Sequence, residues 1–395
     1  MSGFRKETTL AQTIRQTYPV VALVLQGGGA LGAYQAGVYE ALDETGLLPN
    51  WIAGISIGAL NAAIIAGNPP EKRVERLHEF WGTICQSLVV PSPIVPPLSC
   101  ASAFDMQNWP VMAQAGLSAW AAWQAVTQGQ PGFFSPRIPP PFLQTHPTPT
   151  TASWYDTAPL RATLERLVDF DRINDPRAMR VSVGAVNVRT SAFAYFDNTR
   201  GPLHAEHFMA SSALPPGFPA VEIDGEFYWD GGMVSNSPLY KVLVGREHSA
   251  ALIFQIDLWN PHGKLPDTMN SVAERSKDIQ YSSRTRAITE YVRLMQEQRR
   301  LLRDLMALVP AERRNEAAWL QAEANAKCPP TNLVHLTYRD KPYEGYYKDY
   351  EFSTASMHEH WCSGLADMRD ALARPHWLEQ PDTRHPFVTH DADLE

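Results

Sequence analysis

Two apolar periodicities alternate through the first part of the chain. Val20-Val21-Ala22-Leu23-Val24-Leu25 is an unbroken β-favouring run, as expected of a parallel strand buried on both faces. From about Ala33 to Thr45 the spacing turns helical, with Val38, Ala41 and Leu42 on one face and Gly46 as the stop. Trp51 to Ile55 predicts a second strand, and the small apolar residues up to Ala66 predict a buried helix. This order is a βαβ unit, and it brings the loop after each strand to one sheet edge. Open α/β sheets hold their ligands at that edge.

From about Gln86 to Tyr155 the pattern breaks. Prolines crowd in at 91–97 and 131–141, with Trp109, Trp120, Trp123, Phe133, Phe134 and Phe142 between them. Only Val111–Gln128 can hold a long helix. Such an insertion reads either as a lid or substrate wall, or as a packed cover over one sheet face. Strand patterns return at 180–188 and 192–196, joined by a hairpin at Arg189-Thr190-Ser191. A strand pair around Asp224-Gly225 follows and ends in Asp230-Gly231-Gly232; Ala251 to Ile256 closes the sheet. Past about Pro261 the period is helical: Ile288, Tyr291, Val292, Met295 and then Leu301, Leu302, Leu305 and Leu308 form stripes. A strand-like run at 333–338 and a helix near 353–373 come after, and the last twenty residues are polar and expected to be loose. The chain thus divides into an α/β domain at 19–245, carrying the insertion at about 86–155, and a mainly helical C-terminal extension at 246–395.

Composition narrows the partners. With 395 residues, 44% of them apolar and 19% charged, the chain can bury one large core or two. A formal net charge of −8 offers no basic excess for nucleic-acid phosphates, so no nucleic-acid partner is expected. Cys85, Cys100, Cys328 and Cys362 are scattered, with no C-x-x-C spacing, which fits reduced thiols better than a disulfide framework or a zinc site. No uninterrupted apolar run approaches 18 residues, and the polar first 18 residues do not read as a signal. A soluble, cytoplasmic protein without metal or cofactor is the expectation.

The chemistry concentrates in two loops. Gly54-Ile55-Ser56-Ile57-Gly58 sits between a strand and a helix, the context of a nucleophile elbow. Glycines two before and two after the serine clear room for so tight a turn, and Ser56 then stands at a helix N-terminus that favours developing negative charge. A glycine-flanked serine that merely caps a helix is the bland alternative. The loop Gly27-Gly28-Gly29-Ala30-Leu31-Gly32 matches G-x-G-x-x-G formally. A dinucleotide site would want an acid at the end of the second strand, where the serine elbow stands instead, and no Lys-Ser/Thr follows to make a P-loop. Consecutive glycines also let backbone amides converge on one oxyanion.

The glycine loop, the serine elbow and Asp230-Gly231-Gly232, in this order and context, resemble the patatin-like phospholipase family over about Pro19 to Gly245. The segment Ala210–Val221 also looks like the family, and the tail resembles an extra C-terminal domain of some bacterial members. The resemblance implies a patatin-like three-layer α/β/α sandwich with a mostly parallel sheet. It implies a Ser–Asp dyad, with Ser56 as nucleophile and Asp230 as general base, and an oxyanion hole at Gly27, Gly28 and Gly29. Gly32, Gly54, Gly58, Gly231 and Gly232 support the motifs. The implied reaction is hydrolysis of carboxylic esters of lipids or acylglycerols through an acyl-enzyme. Leu31 stands where many members carry a basic residue, which favours a general esterase or lipase over strict phospholipid preference. Three rivals remain: acyl transfer to another acceptor, a non-catalytic lipid-binding scaffold, and a Ser-His-Asp triad using His262 or His335. Peripheral membrane contact and a homodimer through the C-terminal helices are the partner readings left open.

Overall fold

The computed structural model describes residues 9–86, 110–246, 249–282, 285–327, 329–382 and 385–392. Trp109, the prolines at 91–97, Cys100 and Cys328 lie outside the described residues. Among the described residues eleven strands form, in chain order: β1 Val20–Leu25, β2 Trp51–Gly54, β3 Ser135–Pro136, β4 Tyr155–Asp156, β5 Arg180–Asn187, β6 Phe193–Asp197, β7 Val221–Ile223, β8 Glu226–Asp230, β9 Ala251–Asp257, β10 Thr331–Thr337 and β11 Phe387–Asp391. Nine of them make one sheet, ordered β11-β10-β9-β1-β2-β5-β8-β7 with β6 also paired to β5; β3 and β4 form a separate two-stranded ribbon. Pairings from β11 through to β5 are parallel, and those of β5 with β6 and β8, and of β7 with β8, are antiparallel.

Alternation along the central strands explains the layering. Leu23 and Leu25 of β1 pack with Ile52, Phe254 and Ile256 on one face, beneath helices Ala33–Thr45, Ile57–Ala66, Arg73–Ile84 and Thr354–Leu372. Ala22 and Val24 pack with Ala53 and Ile253 on the other, against Leu239, Val242 and Leu243 of helix Leu239–Gly245 and Ile288 and Val292 of helix Thr285–Ala307. A sheet buried on both faces needs continuous apolar strands, and β1 and β9 are such strands.

The C-terminal stretch does more than add helices. β9 lies between β1 and β10 inside the sheet, rather than closing it, and β10 and β11 continue it outward. The last residues, expected to be loose, supply β11, where Phe387 is buried. Helix Thr354–Leu372 crosses helix Ala33–Thr45 at very close range: a Cβ on Gly37 would lie 2.0 Å from the Trp361 carbonyl oxygen, and one on Gly364 would lie 2.0 Å from that of Tyr34. Tyr34 donates to Asp367 (2.7 Å) across the same crossing.

The sheet also decides where the two motifs meet. Arg180 N–H donates to the Asn50 carbonyl (2.9 Å) and Val188 N–H to that of Phe227 (2.8 Å), whereas Asn187 N–H donates to Ala192 (2.9 Å). Successive residues of a strand turn their N–H groups to opposite edges. β2 and β8 therefore share one edge of β5, and β6 takes the other. β2 runs up that edge until Gly54 faces Val183, and β8 runs down it until Asp230 faces Ala185. The two strands end head to head across Gly184.

Candidate active site

Ser56 lies two residues past Gly54 and turns at φ 54°, ψ −126°, in the strained region a nucleophile elbow requires. A Cβ on Gly54 would lie 2.4 Å from the Gly58 carbonyl oxygen, so the turn closes only with glycine there. From this position Ser56 Oγ donates to Asp230 Oδ2 at 2.6 Å. The other carboxylate oxygen, Oδ1, accepts from Gly232 N–H at 2.7 Å. Asp230 is buried, and desolvation pushes its carboxyl from 3.8 up to about 7 although both hydrogen bonds favour the ionised form. Its proton therefore moves on and off near neutral pH.

Ser211 holds the junction from behind. Its hydroxyl donates to the Gly184 carbonyl (2.7 Å) and accepts from Ser56 N–H (3.0 Å), so it fixes the elbow to the strand shared by β2 and β8. The sequence offered Ser211 only as part of a resembling segment, without a role. In the sequence, Asn236 shows only the pattern of a helix cap before Ser237-Pro238. Its side-chain amide donates to the carbonyls of Gly27 (3.0 Å) and Tyr281 (2.8 Å), tying the glycine loop to the Asp230 turn and to the C-terminal half.

The three glycine amides are not equivalent. Gly27 N–H already donates to the Asn236 carbonyl at 3.2 Å. Among the described residues, no hydrogen bond engages the amides of Gly28 or Gly29. Gly29 takes φ 57°, and a Cβ there would lie 2.0 Å from the Asp349 carbonyl oxygen. Gln26 and Trp259 hold the start of the loop: Gln26 Oε1 accepts from Leu258 N–H (2.6 Å), and Trp259 Nε1 donates to the Gly27 carbonyl (2.8 Å).

Ser56, Asp230, Gly232 and Gly27–Gly29 line one cavity of about 310 Å³. Its walls are mostly apolar and come from three parts of the chain. The insertion gives Ala125, Val126, Phe133, Phe134 and Tyr155; the segment after Ser211 gives Leu214 to Phe218; the C-terminal half gives Trp259, Tyr281, Asp349, Tyr350 and Phe352. Of the insertion aromatics, Phe133 and Phe134 reach the cavity. Trp120 and Trp123 stack on one another at 4.8 Å and are not among its walls, nor is the exposed Phe142. Among the described lining residues no Lys, Arg or His occurs, and the charged groups are Asp230 and Asp349. Lys277 pairs Asp349 at 2.7 Å. The rival bases sit elsewhere: His262 is exposed, and His335 bridges Asp257 (2.8 Å) and Asp391 (3.3 Å).

Among the described residues, no group of three His, Cys, Asp or Glu side chains is arranged to hold a metal, and no helix is long and apolar enough to cross a membrane. Comparison with known proteins gives the lineage. A family model described as patatin-like phospholipase matches residues 23–243, and a second, described as patatin phospholipase, matches 279–384. Lysophospholipase nte1 of Aspergillus terreus is 54% identical over 46 residues, covering 12% of this chain and 3% of that protein. Triacylglycerol lipase SDP1L of Arabidopsis thaliana is 45% identical over 51 residues, covering 13% and 6%. Patatin-like phospholipase domain-containing protein 6 of Homo sapiens is 35% identical over 71 residues, covering 18% and 5%. The chain thus matches only a small part of each of these much longer relatives. With the first family model spanning more than half of its residues, the chain belongs to the patatin-like phospholipase family.

Proposed function

We propose that the chain hydrolyses carboxylic esters of lipids or acylglycerols through an acyl-enzyme, with Ser56 as nucleophile and Asp230 as the base. The observation that carries this reading is the 2.6 Å hydrogen bond from Ser56 Oγ to a buried carboxylate, at the foot of an apolar cavity. A serine hydroxyl is a weak nucleophile until a base takes its proton. A carboxylate in water is too weak a base for that work, and the desolvation that lifts Asp230 to about 7 strengthens it.

In the first half-reaction Ser56 Oγ attacks the ester carbonyl carbon as its proton passes to Asp230. The carbonyl oxygen becomes an oxyanion, which the free amides of Gly28 and Gly29 receive; Gly27, whose N–H is engaged, shapes the loop. Collapse breaks the ester C–O bond, and the leaving alkoxide takes the proton from Asp230. In the second half-reaction water attacks the acyl-enzyme, gives its proton to Asp230 and releases the acid, and Ser56 regains the proton. The acyl chain is seated against Phe133, Phe134, Phe218 and Phe352. Each methylene buried there is worth about 0.8 kcal/mol.

The lining favours uncharged esters. A phosphodiester head entering this cavity would meet Asp349 and, among the described residues, no cation in its walls. The test is a serine-directed phosphonate with wild type, Ser56→Ala and Asp230→Asn. Labelling and ester hydrolysis should vanish in Ser56→Ala with the fold intact. Labelling that persists on another serine refutes the proposal.

A further inference from the structure

A second groove, of about 820 Å³, lies between helix Thr285–Ala307 and helix Ala317–Asn325, away from the residues that line the cleft. Met306, Trp319 and Leu320 give it apolar walls. Among the described residues Arg303, Arg314 and Lys327 stand around it with a single carboxylate, Glu323, on a chain whose overall charge is −8. Among the described residues none of these three cations is paired with an acid; Arg314 Nε donates instead to the Val309 carbonyl at 3.1 Å. Arg303 Nε and Trp319 Nε1 are both buried, and no protein acceptor among the described residues reaches either.

A buried donor left without an acceptor is costly, and folded proteins keep few of them. Here two such donors belong to residues lining one groove, beside two further cations. That arrangement matches an anionic oxygen pair, which guanidinium and indole N–H groups bind strongly. The Met306–Trp319–Leu320 wall, in turn, matches a hydrocarbon chain. We propose that this groove binds a single-chain anionic amphiphile, a fatty carboxylate, with its head on Arg303 and Trp319 and its chain along Met306 and Leu320. The site is independent of the chemistry proposed at Ser56, although a fatty carboxylate is what that chemistry would release.

The experiment uses the full chain carrying Ser56→Ala and a dodecanoate analogue with a terminal diazirine, irradiated and mapped by mass spectrometry. Label is expected within residues 301–327, displaced by dodecanoate and about tenfold or more less well by dodecanol, which lacks the charge for a charge-assisted hydrogen bond. Arg303→Met should cut that label about tenfold or more while leaving label in the cleft, at Phe133 or Phe352, unchanged. Arg314→Gln, at a more exposed position, should weaken labelling in the same direction. Label confined to the cleft overturns the proposal, and so does equal displacement by dodecanol. So does a protein that floats with phosphatidylglycerol vesicles yet takes up no monomeric dodecanoate, because the anionic head would then belong to membrane lipid.

Discussion

At pH 8, Asp230→Asn is expected to leave only residual turnover while raising stability. Desolvation lifts the wild-type carboxyl from 3.8 to about 7, against the opposing hydrogen bonds from Ser56 and Gly232. The folded state therefore holds this proton more tightly than the unfolded state does. The stability it contributes is fully present below pH 3.8 and is lost as pH rises through about 7. Between those two values lies about 4 kcal/mol, an upper bound for the charge buried above neutrality. Asparagine carries no charge to desolvate and can keep both contacts, its oxygen accepting from Gly232 N–H and its amide donating to Ser56 Oγ. The variant should be about 2–4 kcal/mol more stable than wild type at pH 8, with the difference shrinking to less than about 1 kcal/mol near pH 4. Loss of the base should cost about 10²–10⁴ in kcat. Wild-type kcat should itself rise with pH through about 7 and then level off, because only the ionised carboxylate accepts the serine proton. Urea unfolding at both pH values, with hydrolysis of a nitrophenyl butyrate, reads all of this. A variant no more stable than wild type at pH 8, or equally stabilised at both pH values, would refute charge burial as the cause. Retention of most of the activity would remove Asp230 from the reaction.

His335→Ala should leave hydrolysis nearly intact but lower stability. Burial opposes a charge on this ring, yet Asp257 and Asp391 outweigh it and hold it up to about 10, so its contribution is fully present below pH 6.5 and is lost as pH rises through about 10. The deficit in unfolding midpoint should accordingly be larger at pH 6 than at pH 10. Gly29→Ala sets a methyl group against the Asp349 carbonyl at a left-handed position; kcat should fall about 10²–10³ as the free amides shift, with Ser56 still open to slow phosphonate labelling. Val126→Trp, at a half-exposed wall position, should fill the cavity mouth and depress kcat/KM by about fourfold per excluded methylene for long-chain esters while sparing acetate esters. An unchanged chain-length profile would mean that the acyl group lies elsewhere.

The two loops that approach one another were legible because tight turns leave chemical signatures. Gly54 and Gly58 around Ser56, and Gly231-Gly232 after Asp230, are positions where side chains do not fit, and sequence records such exclusions directly. Their meeting was not legible, since it depends on β2 and β8 sharing an edge of β5, a long-range pairing that no local pattern encodes. Ser211 and Asn236 escaped for the same reason: their partners, Gly184 and Gly27, are remote in the chain. Nor could spacing tell the Gly27 amide, taken by Asn236, from those of Gly28 and Gly29. In the C-terminal stretch the helical stripes dominate the period, which masks how β9, β10 and β11 extend the sheet. β11 is short, with Thr389, His390 and Asp391 in it, and reads as tail until it is set beside β10.

The head-to-head ending of β2 and β8 has a mechanical consequence. The serine and the aspartate are carried on one rail, the edge of β5, with a single residue, Gly184, as the gap between them. A Cβ on Gly184 would lie 2.4 Å from Ile55 Cδ1, so the rail is also clamped from the side. The insertion and the 349–352 wall stand on other elements, so a change made there alters the room above the pair and leaves the edge of β5 in place. Walls of this kind can be redrawn by mutation while the hydrogen bond from Ser56 to Asp230 keeps its setting.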